Sequence, residues 1–224
     1  MNVFSPFEML NGNSYAKRQS SGEWEGGILC PDCDNKLIGG YEDYVNRAMY
    51  GGILPSNETP ICKKYKNKRG VQYTNCKKIS YKKTKIFFLT ILWRASISKR
   101  PFFNEIKLGP HEEVIRKMIL EENAGDVSGY PILFQTFIND SLMSRDIVGQ
   151  PQKRKTIDGH TVYVFIIGGM IYTYFVNSKG HKLNDQVLTK TIKPTNEMII
   201  SHIPPGKGWD VVMEFCGLVK NSKY

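Results

Sequence analysis

The chain has 224 residues, of which 41% are hydrophobic and 12% aromatic, enough to build a sizeable core and too apolar for global disorder. Its net charge of +10 is confined to residues 61–85, which hold ten Lys or Arg and no Asp or Glu; the remainder balances at 21 basic and 21 acidic residues. No apolar run approaches the ~20 residues of a membrane helix, and the first ten residues lack the basic and apolar regions of a secretion signal.

Five cysteines without such a signal point to a reducing, cytoplasmic compartment, with thiols free, buried or metal-bound rather than paired. Residues 1–27, rich in Asn, Ser, Gly and Glu, read as irregular, with a short strand near Ile28 and Leu29. Asp34 or Asn35 is placed to cap a helix running through Tyr50. Leu37, Ile38, Tyr41, Tyr44, Val45, Ala48 and Met49 recur there at helical spacing. Gly39 and Gly40 weaken its first half, and Gly51 and Gly52 end it.

Residues 53–80 read as a basic connector with a candidate strand at 71–74. A second helix, 81–98, is apolar on nearly every side through IFFLTILWRAS, as a central core helix should be, and Pro101 stops it. Arg94 lies inside that run and needs a counter-charge; Glu112 or Glu113 is the expected partner, and a bound phosphate the alternative. Gly109-Pro110 opens a third helix whose core face is expected to be Val114, Ile115, Met118, Ile119 and Leu120.

From Tyr130 the pattern turns to strands: 131–138, then 155–157 and 160–167 about the turn Asp158-Gly159, then VYVFII and MIYTYFV about Gly168-Gly169, and finally 197–203. The expected fold is α+β, three helices packed on a mainly antiparallel C-terminal sheet, with a small cysteine-containing N-terminal module. The expected division is residues 1–52 and 53–224.

Cys30-Pro-Asp-Cys33 presents two thiolates from one tight turn, as a zinc half-site does. A structural zinc needs four ligands, and Cys62 and Cys76 are the candidates for the other two, although thirteen residues between them is not knuckle spacing. A degenerate half-site or two unligated thiols are the alternatives. A thioredoxin-like role is disfavoured because no βαβ pattern surrounds the pair.

Lys63, Lys64, Lys66, Lys68, Arg69, Lys77, Lys78, Lys82 and Lys83, interleaved with Tyr65, Tyr73 and Tyr81, suit nucleic acid, since lysines neutralise phosphates and tyrosines stack on unpaired bases. A solvated basic loop is the competing reading, and a membrane-surface role is weaker for want of an amphipathic helix. His111, His160, His181 and His202 are scattered, without HExxH spacing, and neither a GxSxG nor a Walker loop occurs. Asp158, His160 and His111 are the only candidates for an unrecognised metal or base site.

The strings GGILCPDCDNKLIGGYEDY, KIFFLTILWRASIS, KLGPHEE and DGHTVYVFIIGG resemble a family of mostly uncharacterised bacterial proteins, over about residues 11–209. In that family a further CxxC and a His-Ile-Ile-Pro-like segment precede the matching CxxC, an arrangement similar to the treble-clef zinc fold of HNH endonucleases. The present sequence begins without them, as a truncated or divergent member would. The resemblance therefore implies that Cys30 and Cys33 are the second half of a zinc site, and it does not carry catalysis over. Three functions follow as expectations: a nucleic-acid-associated protein of HNH-like descent that binds without cleaving, a metal-dependent HNH-like nuclease, or an interaction module in a phage–host conflict that meets an acidic protein surface.

Overall fold

The computed structural model describes residues 7–11, 14–19, 25, 27–143, 146–176 and 182–215. Its strands are β1 (Phe7–Asn11), β2 (Ser14–Gln19), β3 (Ile61–Lys66), β4 (Gln72–Lys77), β5 (Ile132–Thr136), β6 (Ile147–Lys155), β7 (Thr161–Ile167), β8 (Met170–Phe175) and β9 (Glu197–His202). Its helices are α1 (Gly39–Tyr50), α2 (Tyr81–Ile97), α3 (Pro110–Leu120), α4 (Asp185–Leu188) and α5 (Gly208–Phe215). Seven strands lie in the order β6-β7-β8-β5-β9-β4-β3, and β1 and β2 extend the sheet beyond β6. Only β1–β6 and β5–β9 pair in parallel, so the expected mainly antiparallel α+β architecture holds.

Local chemistry sets the tight turns. Gly168 and Gly169 both adopt positive φ (62° and 74°), which a two-residue hairpin turn of primed type requires, and Ile167 then pairs with Met170. Gly159, at φ 79°, closes the β6–β7 turn expected at Asp158-Gly159.

Helix α2 starts at Ser80, whose hydroxyl accepts the Lys83 N–H at 3.3 Å. It packs against both α1 and α3, and its Phe88, Leu89 and Leu92 are fully buried. The Phe88 ring lies 5.1 Å from Phe134 and 4.7 Å from Tyr172, so the helix sits directly on β5 and β8. On the other face of the sheet Val162, Val164, Ile166, Ile171 and Phe175 form a second core with Val212 of α5. Burial on both faces explains why VYVFII reads as a continuous apolar run rather than an alternation.

Several expectations are corrected. Residues 7–19 form a strand pair rather than irregular chain, while Ile28 and Leu29 lie in a turn rather than a strand. The expected boundary at residue 52 does not separate two cores, because Tyr41, Tyr44 and Val45 of α1 share a cluster with Ile86, Leu89 and Phe134. The first helix is π-helical over Asp32–Ile38, with Gly39 N–H donating to the Asp34 carbonyl five residues back. Residues 53–80 are no mere connector, since they contain the β3–β4 hairpin. In α3, Ile115 and Ile119 are buried, but Val114 and Leu120 are 48% and 46% exposed. The apolar stripe there is narrower than its sequence spacing implied. Arg94 pairs with Glu42 of α1 at 2.7 Å, not with Glu112, which instead accepts the Ser96 hydroxyl at 2.8 Å.

Candidate nucleic-acid interface and the cysteine pairs

Strand β3 is the free edge of the sheet, and every residue from 61 to 70 is exposed. The register opposes Ile61 to Lys77, Cys62 to Cys76, Lys63 to Asn75, Lys64 to Thr74, Tyr65 to Tyr73 and Lys66 to Gln72. Because side chains alternate across a strand, Lys63, Tyr65, Tyr73 and Lys77 share one face, and Cys62, Lys64 and Lys66 share the other. The second set faces the helix side, since Cys76 pairs with buried Met198 of the helix-side core. Tyr65 and Tyr73 stack with centroids 5.5 Å apart and planes 20° apart, and Tyr65 is 44% exposed. Lysines thus flank an aromatic pair on an open strand surface.

The nine expected cations divide. Lys77 meets Glu197 at 3.4 Å, Lys82 meets Glu122 at 2.9 Å, and Lys83 meets Glu58 at 2.8 Å. These three are partly neutralised within the fold. Lys63, Lys64, Lys66, Lys68, Arg69 and Lys78 have no carboxylate partner among the described residues, and five of these six lie on the hairpin strand β3 and its turn. The hairpin turn itself is organised by Asn67, whose side-chain oxygen accepts the N–H groups of Arg69 and Val71, both at 2.9 Å. Lys85 belongs to the core instead: its ammonium donates to Tyr81 Oη at 2.8 Å and to the Asp126 carbonyl at 2.5 Å, and burial pulls its pKa down to about 8. Tyr81 is likewise buried and unavailable for stacking.

A polar relay at the inner side of the hairpin was invisible in the sequence. The Asn139 side-chain amide donates to Gln72 Oε1 (2.7 Å) and to His202 Nδ1 (2.8 Å), which leaves His202 Nε2 to donate to Thr74 Oγ1 (2.7 Å). His202 is therefore the neutral imidazole, and burial, then the charge of Lys64, holds its pKa below the ordinary histidine value. Its four members come from two strands, β4 and β9, and one loop, so no spacing rule announces them. The other expected histidine sites are not assembled. The His160 ring packs edge-on against Phe175, with Asp158 exposed on the turn, and His111 bonds Tyr130 Oη at 3.0 Å. His181 and Cys216 lie outside the described residues.

The four cysteines do not converge. Cys62 and Cys76 are bonded to one another as a cross-strand disulfide, with Cα atoms 4.0 Å apart, which corrects the expectation of unpaired thiols. The directly opposed register of β3 and β4 is what brings them together. Cys30 and Cys33 are free, and among the described residues no three His, Cys, Asp or Glu side chains gather as a metal site would need. A four-cysteine zinc centre therefore does not fit these residues.

Cys30 instead occupies the N-cap of the helical run 31–50. Asp34 N–H donates to its carbonyl at 3.0 Å, and its Sγ accepts the Cys33 N–H at 3.4 Å. That backbone donor, followed by the Cys33 thiol, holds the Cys30 pKa below its ordinary value, while Cys33, bonded to Cys30, is pushed up. A hollow of about 640 Å³ adjoins the pair, lined by Leu29, Asp34, Ile91, Ala95, Phe102 and Phe103 among others. Glu25 ties this segment to the end of α2 by accepting the Ser98 hydroxyl at 2.5 Å and the Lys99 N–H. None of the described helices is long and apolar enough to cross a membrane. Comparison with protein-family models, with curated proteins and with solved structures finds no match for this chain.

Proposed function

We propose that the protein binds nucleic acid, single strands in preference to duplex, through the β3–β4 hairpin, and that it binds without cutting. The observation that carries this reading is the stacked pair Tyr65–Tyr73 sharing an exposed strand face with Lys63, beside the turn cations Lys68 and Arg69 and with Lys64 and Lys66 on the opposite face; none of these five cations has a carboxylate partner among the described residues. Unpaired bases offer faces for tyrosine rings, and phosphates at strand spacing meet the lysines. A duplex offers the phosphates but hides the bases, which sets the preference.

The disulfide supports the same reading, since it cross-links the two strands that carry the rings, at the register pair Cys62–Cys76 of the same ladder as Tyr65–Tyr73. Ordering the lysine-rich edge strand β3 against β4 on binding would otherwise cost conformational entropy.

With Lys64 and Lys66 turned to the opposite face, three phosphate contacts, by Lys63, Lys68 and Arg69, imply that log K falls with log salt at a slope of roughly −2 for a single strand. The test is fluorescence anisotropy with labelled oligo(dT) and oligo(rU) at 50–300 mM salt, against a duplex of equal length. The expected result is salt-dependent binding, with Tyr65→Ala weakening it by about 1–3 kcal/mol. Absence of binding at the lowest salt would overturn the reading. So would equal binding of polyglutamate with no effect of Tyr65→Ala, which would point to an acidic protein surface. Strand scission in parallel incubations with magnesium, manganese or zinc would replace binding by cleavage.

A further inference from the structure

We propose that Cys30 and Cys33 form a thiol–disulfide exchange centre, with a disulfide or a dithiol of a second molecule as its substrate. This goes beyond the hairpin reading and does not depend on it.

Three features of the pair favour exchange over an inert or purely structural role. The first is position. Cys30 is the N-cap of a helical run that extends to Tyr50, so its sulfur faces the unpaired amides of the first turn and already accepts one of them. A thiolate, the attacking species, is best stabilised there. The second is asymmetry. Cys30 is exposed and Cys33, one turn further on, is less so, which separates an attacking sulfur that a substrate reaches from a resolving sulfur that it does not. Both side chains rise from the same helical turn, so closing a bond between them needs no rearrangement of the fold. The third is the adjoining hollow. Leu29 and Asp34 flank the pair and also line that recess, whose wall mixes apolar Ile91, Phe102 and Phe103 with charged Arg94 and Arg100, so a residue beside the substrate's own cysteine has a seat near Cys30. The absence of a βαβ setting argued against a redox role from sequence, but none of these three features requires that fold.

The exchange balances as follows. The Cys30 thiolate attacks one sulfur of a substrate disulfide, forming a mixed disulfide and releasing the other substrate sulfur as a thiolate. Cys33 loses its proton to solvent and attacks Cys30 Sγ. The Cys30–Cys33 bond forms, the mixed disulfide breaks, and the second substrate sulfur leaves as a thiolate. Two electrons have passed from the protein's dithiol to the substrate, and an external dithiol restores the reduced pair by the reverse steps.

The test uses the full chain with glutathione disulfide as the probe. The protein is mildly reduced, desalted, incubated with the probe, quenched in acid and mapped by peptide mass. The expected wild-type product is a Cys30–Cys33 bond, two hydrogens lighter, without lasting glutathione on either residue. Cys33→Ser is expected to stop at a Cys30–glutathione adduct, and Cys30→Ser to leave Cys33 reacting at least tenfold more slowly. The proposal is overturned if wild-type Cys30 and Cys33 each keep glutathione as independent thiols. Equal rates for the two single variants would overturn it as well. So would one equivalent of zinc in the purified protein that is lost in Cys30→Ser, since the thiolates would then be ligands.

Discussion

Cys62→Ser removes the disulfide while leaving buried Cys76 in place, so it isolates the cross-link from any change in core packing. The bond closes a loop with a sequence separation of 14. Restoring the freedom of such a loop to the unfolded chain is worth ~3 kcal/mol. Little should be added by lost contacts, because Cys62 lies on the exposed edge strand. With a urea slope of about 2–3 kcal/mol/M for a chain of this size, the midpoint should fall by roughly 1–1.5 M. Equilibrium urea unfolding followed by tryptophan fluorescence reads this directly, and wild-type protein held in reductant should match the variant. Hydrogen exchange adds the location: amides of β3 and β4 should lose protection first, and those of β7 and β8 should not. A shift below about 0.5 M, or equal loss of protection across the sheet, would refute the claim that this bond braces the hairpin against the unfolded state.

The depressed pKa values of His202 and His111 set a pH window. The unfolded chain takes up these protons before the fold does, so stability is complete above the ordinary histidine value of 6.5 and is lost as pH falls below it. Urea midpoints at pH 7.5 and 5.5 should show that loss, and His202→Gln should flatten it. Within α3, Ile115→Ala should cost about 2–5 kcal/mol. Its neighbour Val114→Ala should stay within about 0.5 kcal/mol by thermal melting, because only Ile115 faces the core. Glu42→Gln, which breaks the half-exposed pair with Arg94, should cost less than about 1 kcal/mol, and a loss above 2 would mean that Arg94 has no other means of solvation.

Those features of the fold that depend on near neighbours in the chain were legible in the sequence. Helix α2 announces itself by length and apolarity, and the β7–β8 turn by two adjacent glycines that positive φ demands. The candidate strand at 71–74 overlaps β4, but β3 was illegible for a physical reason: it is solvated on both faces, so its lysines produce no alternation, and it is held as a strand by hydrogen bonds to β4, which β9 holds in turn. The pairing of Phe7–Asn11 with Ser14–Gln19 was hidden by a composition rich in Asn and Ser. Partners across the fold were equally hidden. Arg94 selects Glu42 because α1 and α2 are neighbours, a fact of packing, and the His202 relay joins residues up to 130 positions apart through strand order alone.

The cysteines show how far spacing and chemistry can diverge. Read as a set of four, they suggest one metal centre. In the fold they are two pairs with opposite fates. Cys62 and Cys76, distant in sequence, are brought face to face by a hairpin register, and their bond ties together the two strands that carry Tyr65 and Tyr73. Cys30 and Cys33, close in sequence, are free thiols on one turn, where the Cys33 N–H donates to the Cys30 sulfur. The hairpin pair is already bonded, with Cys62 on the exposed edge and Cys76 buried, whereas Cys30 is a free thiol that meets solvent directly. Disulfides in solution should therefore find their thiol at Cys30, and the protein can respond there while the bonded hairpin that carries the proposed binding surface keeps its shape.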